Sequence, residues 1–553
     1  MRVVPLFACA CGSVLVPLVV AGWGGMEEAA WSLRPVLSSL SSTPLLTVLC
    51  AALACALLFG VTRGGQKKDG LPPHPPGTTG VPLLGETLKL LKAYTSNVEH
   101  AWYGPKIAQF GAIFRSHVYF SPAVFCGGDI ARRLLSAREG GDGLEMWMPG
   151  TMRQLVGPLH PLRLQKSLHT PVRKALTLAM TPERLAKFVP VAQAIVDRHL
   201  AQWAGAESVK IADGADALAC DTALPLAIGP RAAQAAGGAD MLADIKRVYQ
   251  GFFAVVPFPL PGTALRTALA AKRRIEAFHR AHLAARMGEG GVDEDSDGWG
   301  GVAHAVLAHE DPRIGGNMDL AVDLMIGLQI GGQKVPAVSM ALLAFQIARR
   351  PDVRRRLPQE LDEVLGPPGP SQRSPTFDDI NGRLTFLDAC VRESMRVRPI
   401  ATAQMRVATR PLEVGGYQLP KDSMFFYSIS LTHHMDPAFG AAEGRCPMAA
   451  AGTHFAHMDF DEGFLPDRWL KESDRKDERA AGAARPQRWV PFGAGMHACV
   501  AQNAALLAIK VFAATLFSRY HVELLDKRVA WSDSPFCELE HRVPARIFPR
   551  KAR

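Results

Sequence analysis

The chain has 553 residues, of which 48% are apolar and 21% charged, so it can bury a large core and wholesale disorder is excluded. Its ten cysteines are too sparse in so long a chain to indicate a disulfide framework, and they favour a reducing compartment. The formal net charge of +10 suits an anionic membrane face or an acidic partner, although a solvated basic surface would give the same charge.

Two apolar stretches near the N-terminus, residues 3–25 and 35–62, carry no charged side chain. The densest apolar part of the second stretch, residues 44–61, is just long enough to cross a bilayer as a helix. We therefore predict a transmembrane anchor at residues 36–62. The first stretch fits either a first span or a cleavable targeting segment, so residues 1–35 keep both interpretations and the protein would be single-pass or two-pass.

A basic and proline-rich segment follows the predicted anchor. Arg63, Lys67 and Lys68 place the remaining chain on the cytosolic or stromal side by the positive-inside rule, with the endoplasmic reticulum favoured over a plastid. Within residues 63–87, the run Leu71-Pro-Pro-His-Pro-Pro-Gly77 cannot be helical. We predict a stiff hinge there, which would set the angle between the anchor and a globular body.

The remaining chain, residues 88–553, predicts a single catalytic domain that is mainly α with a minor β portion. Apolar residues recur at helical spacing in three long stretches, at residues 182–203, 318–350 and 502–520. Short runs with strand character occur at residues 113–118, 123–126 and 412–419.

One cysteine lies in an unusual setting, the stretch Phe492-Gly-Ala-Gly-Met-His-Ala-Cys-Val-Ala501, directly before a predicted helix. The unpaired N–H groups and the positive dipole end of that helix favour a thiolate at Cys499 over a thiol. Gly493 and Gly495 permit turn geometry, and the small residues would let a flat ring approach the backbone. These features suit a thiolate ligand to haem iron. A buried structural cysteine in a glycine-rich loop is the alternative.

This stretch resembles the haem-binding loop of the cytochrome P450 family, Phe-x-x-Gly-x-(Arg/His)-x-Cys-x-Gly, and departs from it only at Ala501. The resemblance implies the cytochrome P450 fold, heme b (iron protoporphyrin IX) as cofactor, and Cys499 as the proximal ligand to the iron. It also implies that Phe492 and Gly495 are cofactor-binding residues and that His497 contacts a haem propionate.

Further stretches match the same family in the expected order. Glu393-Ser-Met-Arg396, together with Arg468 in Phe464-Leu-Pro-Asp-Arg-Trp469, resembles the family's structural Glu-Arg-Arg network. His169-Thr-Pro-Val-Arg173 resembles the helix that presents a cation to a propionate, and Arg406 resembles the other propionate arginine. From these likenesses we expect His169, Arg173 and Arg406 to bind the cofactor.

Three other stretches look like the branch that oxidises sterols, brassinosteroids and retinoids, so that the resemblance spans roughly residues 71–549. They are Ala123-Val-Phe-Cys126, Val256-Pro-Phe-Pro-Leu-Pro-Gly-Thr263 and Gly415-Gly-Tyr-Gln-Leu-Pro-Lys421.

The chain departs from the family on the helix expected to cross the distal face of the haem. The family carries (Ala/Gly)-Gly-x-(Asp/Glu)-Thr-(Thr/Ser) there, whose acid and alcohol deliver protons for oxygen activation. This chain has Gly331-Gly332-Gln-Lys334-Val335-Pro336, so both glycines remain while the acid and the alcohol are lost. Valine cannot donate or relay a proton, and the lysine reverses the charge. We predict that Gly331, Gly332, Lys334 and Val335 form the distal catalytic segment.

Three functions therefore remain open. The first is a membrane-anchored monooxygenase that oxidises an apolar isoprenoid, such as a sterol, terpenoid or carotenoid derivative, with electrons from a separate NADPH-dependent reductase or a ferredoxin. The second is a P450-fold isomerase or dehydratase that rearranges hydroperoxides without a reductase. The third is a haem-binding or lipid-binding protein that has lost turnover. Nucleic acid is not expected as a partner of any of them.

Overall fold

The computed structural model describes residues 72–81, 85–95, 99–118, 121–136, 143–164, 166–230, 233, 239–254, 258–288, 301–439, 460, 463–480, 483, 485–532 and 536–551. All of these lie within one compact unit, residues 70–553. The predicted targeting segment (1–35) and the predicted anchor (36–62) lie outside the described residues, as do residues 63–71 and 82–84 of the predicted hinge. Among the helices that are described, none has the length and apolar character needed to cross a bilayer.

The described helices of eight residues or more give the chain its mainly α character, as the sequence predicts. In chain order they are α1 (Thr87–Thr95), α2 (Glu99–Phe110), α3 (Gly128–Leu135), α4 (Lys166–Leu178), α5 (Pro182–Ala204), α6 (Ile211–Ile228), α7 (Ala239–Phe252), α8 (Ala264–Gly288), α9 (Met318–Arg349), α10 (Pro351–Leu365), α11 (Thr385–Val397) and α12 (Gln502–Arg519). Shorter helices are Gly150–Leu155, Gly301–Leu307 and Ile429–His434, and a π-helical turn covers Asp379–Arg383.

The strands form a minor β portion within the described residues. In chain order they are β1 (Ile113–Val118), β2 (Ser121–Cys126), β3 (Leu144–Met146), β4 (Val209–Lys210), β5 (Ala403–Ala408), β6 (Leu412–Val414), β7 (Tyr417–Leu419), β8 (Met424–Ser428), β9 (Tyr520–Leu524) and β10 (Pro544–Pro549). The largest sheet has the order β1-β2-β8-β5-β3, and β4-β10-β9 and β6-β7 form two smaller sheets. Only the β2–β8 pair of the largest sheet is parallel.

The central element of the helical core is α9. Its first turn is capped by Asn317, whose side chain accepts a hydrogen bond from the N–H of Leu320 at 3.0 Å. Most of its side chains are buried, as expected for a helix that is apolar on all sides. Pro336 lies inside the helix without ending it, and the helix closes at Arg350, immediately before Pro351.

Helix α6 approaches α9 closely because small residues meet at the contact. A Cβ added to Gly332 would lie 3.1 Å from the Cβ of Ala223, which leaves no room for a larger side chain. This contact fixes the middle of α9, where the sequence predicts the distal segment.

Candidate functional site

The loop before α12 adopts a conformation that requires glycine at two positions. Gly493 has φ 71° and Gly495 has φ 70°, both in the left-handed region. A Cβ at Gly493 would lie 2.1 Å from Nε2 of Gln404, and one at Gly495 would lie 2.2 Å from the carbonyl oxygen of Leu135. The N–H of Cys499 donates to the carbonyl oxygen of Phe492 at 2.9 Å, which closes the loop.

Cys499 is exposed to solvent by surface area. Burial by the surrounding protein nevertheless raises the pKa of its thiol. The backbone N–H of Ala501 and the charge of Arg173 act in the opposite direction and lower this pKa, so both stabilise the thiolate.

Helix α4 brings two predicted residues to this loop. The rings of His169 and His497 lie 4.7 Å apart between centroids, at an interplanar angle of 52°. Both side chains are buried. One turn further along α4, burial lowers the pKa of Arg173, and the negative charge on Cys499 opposes that shift. The structure therefore places His169, Arg173, His497 and Cys499 in one region.

Arg406 reaches the same region from strand β5. Its side chain is buried, it donates to the carbonyl oxygen of Met405 at 3.0 Å, and its guanidinium lies 6.0 Å from the centre of the Tyr427 ring. Gln404, two residues earlier, shares the same face of the strand and touches the position that a Cβ of Gly493 would take. Arg406 thus lies on the face of the sheet nearest the Cys499 loop.

Glu393 of α11 is a buried carboxylate that accepts hydrogen bonds from Arg396 of the same helix and from the segment 465–469. Nε of Arg396 lies 2.8 Å from its Oε2, and Nε of Arg468 lies 2.9 Å from its Oε1. The N–H of Leu465 and the indole N–H of Trp469 also donate to it, at 3.0 and 2.8 Å. Burial raises the pKa of Glu393, but Arg396 and Arg468 outweigh this and hold the pKa below its usual value. The three predicted network residues are in contact.

Aromatic rings connect this network to the cysteine loop. Trp469 packs edge-on against Trp489 with centroids 6.0 Å apart, and Trp489 packs in the same way against Phe492, also at 6.0 Å. The indole N–H of Trp489 donates to the carbonyl oxygen of Arg392 at 3.1 Å. Trp469 closes the motif stretch 464–469, but the motif assigns it no role, and Trp489 lies outside the motifs. The clue in the sequence was their position, because Trp469 is next to Arg468, Trp489 is three residues before Phe492, and an indole N–H usually finds an acceptor when it is buried.

The four residues predicted on the distal helix have different surroundings. Nothing lies within 4 Å of a Cβ added to Gly331, so open space adjoins this residue, whereas Gly332 faces Ala223. Val335 packs against the main hydrophobic core. Lys334 and Val335 are about 100° apart around the helix axis, so their side chains have different neighbours. Its ammonium pairs with Oε1 of Glu538 and lies 3.5 Å from Oδ1 of Asp216.

The chemistry of these groups fits a haem bound through Cys499. A sulfur donor with an N–H group and a cation beside it, two required glycines, and arginines on α4 and β5 are what the iron and the propionates need. The residues that would hold it are Cys499 at the iron and, at the propionates, the set His169, Arg173, Arg406 and His497.

Comparisons with known proteins agree with this geometry. The cytochrome P450 family model matches residues 75–443 and 461–536. Cytochrome P450 26A1 of Gallus gallus is 24% identical over 505 residues, covering 90% of this chain and 94% of that one. The beta-amyrin 28-monooxygenase of Solanum lycopersicum is 25% identical over 517 residues, covering 91% and 98%.

Among solved structures, the retinoic acid-bound cyanobacterial CYP120A1 matches with a TM-score of 0.71 at 23% identity, covering 87% of this chain and 100% of that chain. This likeness shows the same fold. Together with the family match over most of the chain, it confirms the resemblance drawn from the haem loop. The chain therefore belongs to the cytochrome P450 family of haem monooxygenases.

Proposed function

We propose that the protein is a haem-thiolate monooxygenase that oxidises an apolar isoprenoid, such as a sterol, terpenoid or carotenoid derivative. The cofactor in this proposal is heme b, with Cys499 as the proximal ligand. The observation that carries it is the arrangement of His169, Arg173 and His497 around Cys499, on a loop whose conformation requires Gly493 and Gly495.

Each proposed site residue has a role that follows from its surroundings. Haem held by this thiolate supplies the oxygen activation that the side chains cannot perform. Arg173 and Arg406 neutralise and hold the propionate carboxylates as charge-assisted donors, and His497 contacts a propionate. Glu393 fixes the segment behind the cysteine loop through its buried donors.

The substrate class rests on two kinds of support. One relative is named as a beta-amyrin 28-monooxygenase, and CYP120A1 is a fold match whose structure holds retinoic acid. Both named compounds are apolar isoprenoids. The open space beside Gly331, on a helix most of whose side chains are buried, suits a ligand of this kind.

Electrons come, in this proposal, from a separate NADPH-dependent reductase or a ferredoxin. We also propose that residues 36–62 anchor the protein in a membrane and that residues 63–87 form the hinge before the catalytic domain. Deletion of residues 1–62 should then release the protein from alkali-stripped membranes. Retention of the truncated protein in the stripped pellet would place the membrane attachment elsewhere.

Rearrangement of a hydroperoxide is the second candidate, and one observation favours it. Val335 supplies no hydroxyl, and the neighbouring Lys334 is engaged with Glu538 and Asp216. The position of the family's acid-alcohol pair therefore offers no proton donor directed at bound oxygen. A reaction that starts from a hydroperoxide needs no such donor.

A single assay separates the two candidates. The purified protein is incubated with sterols, triterpenes, carotenoid derivatives or lipid hydroperoxides, each with and without reductase and NADPH. A monooxygenase forms oxidised product only when reductase, NADPH and oxygen are all present. Turnover of hydroperoxides alone, unaffected by the reductase, would replace the proposed function with the second candidate.

A further inference from the structure

Three carboxylates and three cations meet beside the distal segment in the described part of the chain. They come from α6, α7, α9 and a C-terminal segment that we define as residues 536–543. The members of this distal ion cluster are Asp213, Asp216, Lys246, Lys334, Glu538 and Arg542.

Arg542 and Lys334 are the two cations that reach the C-terminal carboxylate. The guanidinium of Arg542 donates to Glu538 at 2.7 Å, to Asp216 at 2.8 Å and to Asp213 at 2.9 Å. The ammonium of Lys334 donates to Glu538 and lies 3.5 Å from Asp216. Lys334 therefore connects the middle of α9 to the C-terminal segment, 204 residues further along the chain.

The protonation equilibria agree with a fully charged cluster. Burial raises the pKa of Asp216, but the charges of Lys334, Lys246 and Arg542 outweigh it and hold the pKa below its usual value. Burial lowers the pKa of Arg542, while Glu538 and Asp216 raise it above its usual value. The cluster contains as many basic as acidic side chains, three of each.

The backbone at the end of the C-terminal segment adopts a conformation that depends on its surroundings. Arg542 has φ 57° and Val543 has φ 59°, and a β-branched residue rarely adopts the left-handed region. The N–H groups of Ala212 and Ile211 donate to their carbonyl oxygens at 3.1 and 2.9 Å. Such a backbone persists only where surrounding contacts hold it.

The other end of the segment carries an aromatic side chain next to the same lysine. The ring of Phe536 lies 5.8 Å from the ammonium of Lys334, and it packs edge-on against Tyr249 at 5.2 Å and Phe253 at 5.7 Å. The hydroxyl of Tyr249 donates to the carbonyl oxygen of Ile330. Phe536 is thus packed beside the turn of α9 that contains the distal segment.

The open space beside Gly331 lies on the same side of α9 as Lys334, because residues three apart are neighbours on a helix. We propose that Lys334 is a positioning residue, which through Glu538 holds the C-terminal segment and its Phe536 against α9 and thereby limits the size of ligand that fits above Gly331. The lysine in the place of the family's acid thus holds the C-terminal segment rather than supplying protons. The ligand-binding test of this proposal rests on the proposed haem function, whereas the contacts of Lys334 do not.

The test uses two iron ligands of different size on the full-length haem protein. Dissociation constants of imidazole and 4-phenylimidazole are measured from the shift of the Soret band for the wild type, Lys334→Met, Glu538→Gln and the double variant. Hydrogen exchange of the peptide that covers residues 536–543 is measured on the same samples. Arg280→Met is the matched control, because Arg280 pairs with Asp319 of α9 at 2.7 Å on the exposed surface.

Lys334→Met and Glu538→Gln should each loosen the C-terminal segment and let the larger ligand, 4-phenylimidazole, bind more tightly. The ratio of the 4-phenylimidazole to the imidazole dissociation constant should therefore fall about fivefold, which is the size of a typical coupling between contacting residues. Exchange of residues 536–543 should rise in parallel. Lys334→Arg keeps the charge and should keep the ratio, and Arg280→Met should change neither readout. The double variant restores charge balance, so it should be more stable than Lys334→Met while keeping the altered ratio.

An unchanged ratio and unchanged exchange in Lys334→Met and Glu538→Gln would overturn the proposal. If the single variants do not fold, the double variant decides the question by the same two measurements. Absence of the thiolate-type carbonyl spectrum from the wild type would instead overturn the haem function. The exchange measurement would still decide whether Lys334 holds the segment.

Discussion

The indole N–H of Trp469 donates to Oε2 of Glu393 at 2.8 Å, beside the guanidinium of Arg396, which reaches the same oxygen. Through Trp489 this contact extends to Phe492 at the start of the cysteine loop. The charge network and the cysteine loop are therefore one packed unit, so a substitution at Glu393 should also disturb the loop that holds Cys499.

Replacing Glu393 by Gln should destabilise the fold strongly. The change leaves Arg396 and Arg468 without their buried counter-charge, which typically costs about 3 to 5 kcal/mol. Denaturant unfolding measures the loss, and the haem content of the purified protein should fall with it. Asp319→Asn, which breaks an exposed pair, should cost under about 1 kcal/mol. Equal effects of the two changes would contradict the structural role of Glu393.

Alanine substitutions at two glycines with the same φ distinguish backbone strain from steric clash. Gly495 and Gly316 both have φ 70°, but a Cβ has open space at Gly316 and meets the carbonyl oxygen of Leu135 at Gly495. Gly316→Ala should cost only the left-handed strain of about 1 to 2 kcal/mol. Gly495→Ala should cost clearly more and should lower haem retention. Similar unfolding free energies for the two variants would show that the loop relaxes around the added methyl group.

His433 should make stability depend on pH. Its Nε2 accepts from the N–H of Val490 at 3.0 Å and its Nδ1 lies 3.1 Å from the carbonyl oxygen of Arg396, so the neutral ring fits its site. Burial lowers the pKa of His433 to about 3 from a usual value of 6.5. Between these values the unfolded chain binds the extra proton, so this contribution to stability is complete above about pH 6.5 and is lost as the pH falls towards 3.

The measurement is the free energy of unfolding from pH 7 to pH 4 for the wild type and for His433→Gln. The variant should be less stable at neutral pH and should lose less stability on acidification. Other buried histidines titrate in the same window, since burial also lowers the pKa of His160 and His279 to about 4. A residual slope in the variant is therefore expected, but a slope equal to that of the wild type would contradict the assignment.

Much of the helical framework follows from the sequence because apolar periodicity is local. The stretch 318–350 predicts a helix that the structure has as Met318–Arg349, and the stretch 182–203 corresponds to Pro182–Ala204. The strand-like stretch 412–419 is a hairpin rather than one strand, because Gly415 and Gly416 both take positive φ and reverse the chain.

The ion-pair partners of Lys334 could not be predicted from local apolar periodicity. The side chain is charged, so the sequence suggests a change of charge beside the oxygen site. In the structure its ammonium pairs with Glu538 and faces Asp216, residues that no motif or periodicity connects with it. Contacts between positions so far apart in the chain depend on the tertiary fold, which local patterns do not encode.

Because Lys334 is held by these carboxylates, the loss of the acid-alcohol pair is better tested by a substitution at Val335 alone. Lys334→Asp would place a further carboxylate against Asp216 and Glu538 and should destabilise the protein. Val335→Thr alone is nearly isosteric and introduces the missing hydroxyl. If proton delivery limits turnover, Val335→Thr should raise the product formed per NADPH consumed. Tight coupling already present in the unmodified enzyme would contradict this, and a hydroperoxide-rearranging enzyme would show no gain.

The proposed function depends on ligation of haem iron by the Cys499 thiolate. This ligation is tested by the absorption spectrum of the reduced protein under carbon monoxide, for the wild type, Cys499→Ser and the control Cys126→Ser. Cys126 is buried, and its sulfur donates to the carbonyl oxygen of Phe426, a bond that serine can replace. We expect a red-shifted Soret band in the wild type and in Cys126→Ser and its loss in Cys499→Ser. The same red-shifted band in Cys499→Ser would show that Cys499 is not the iron ligand.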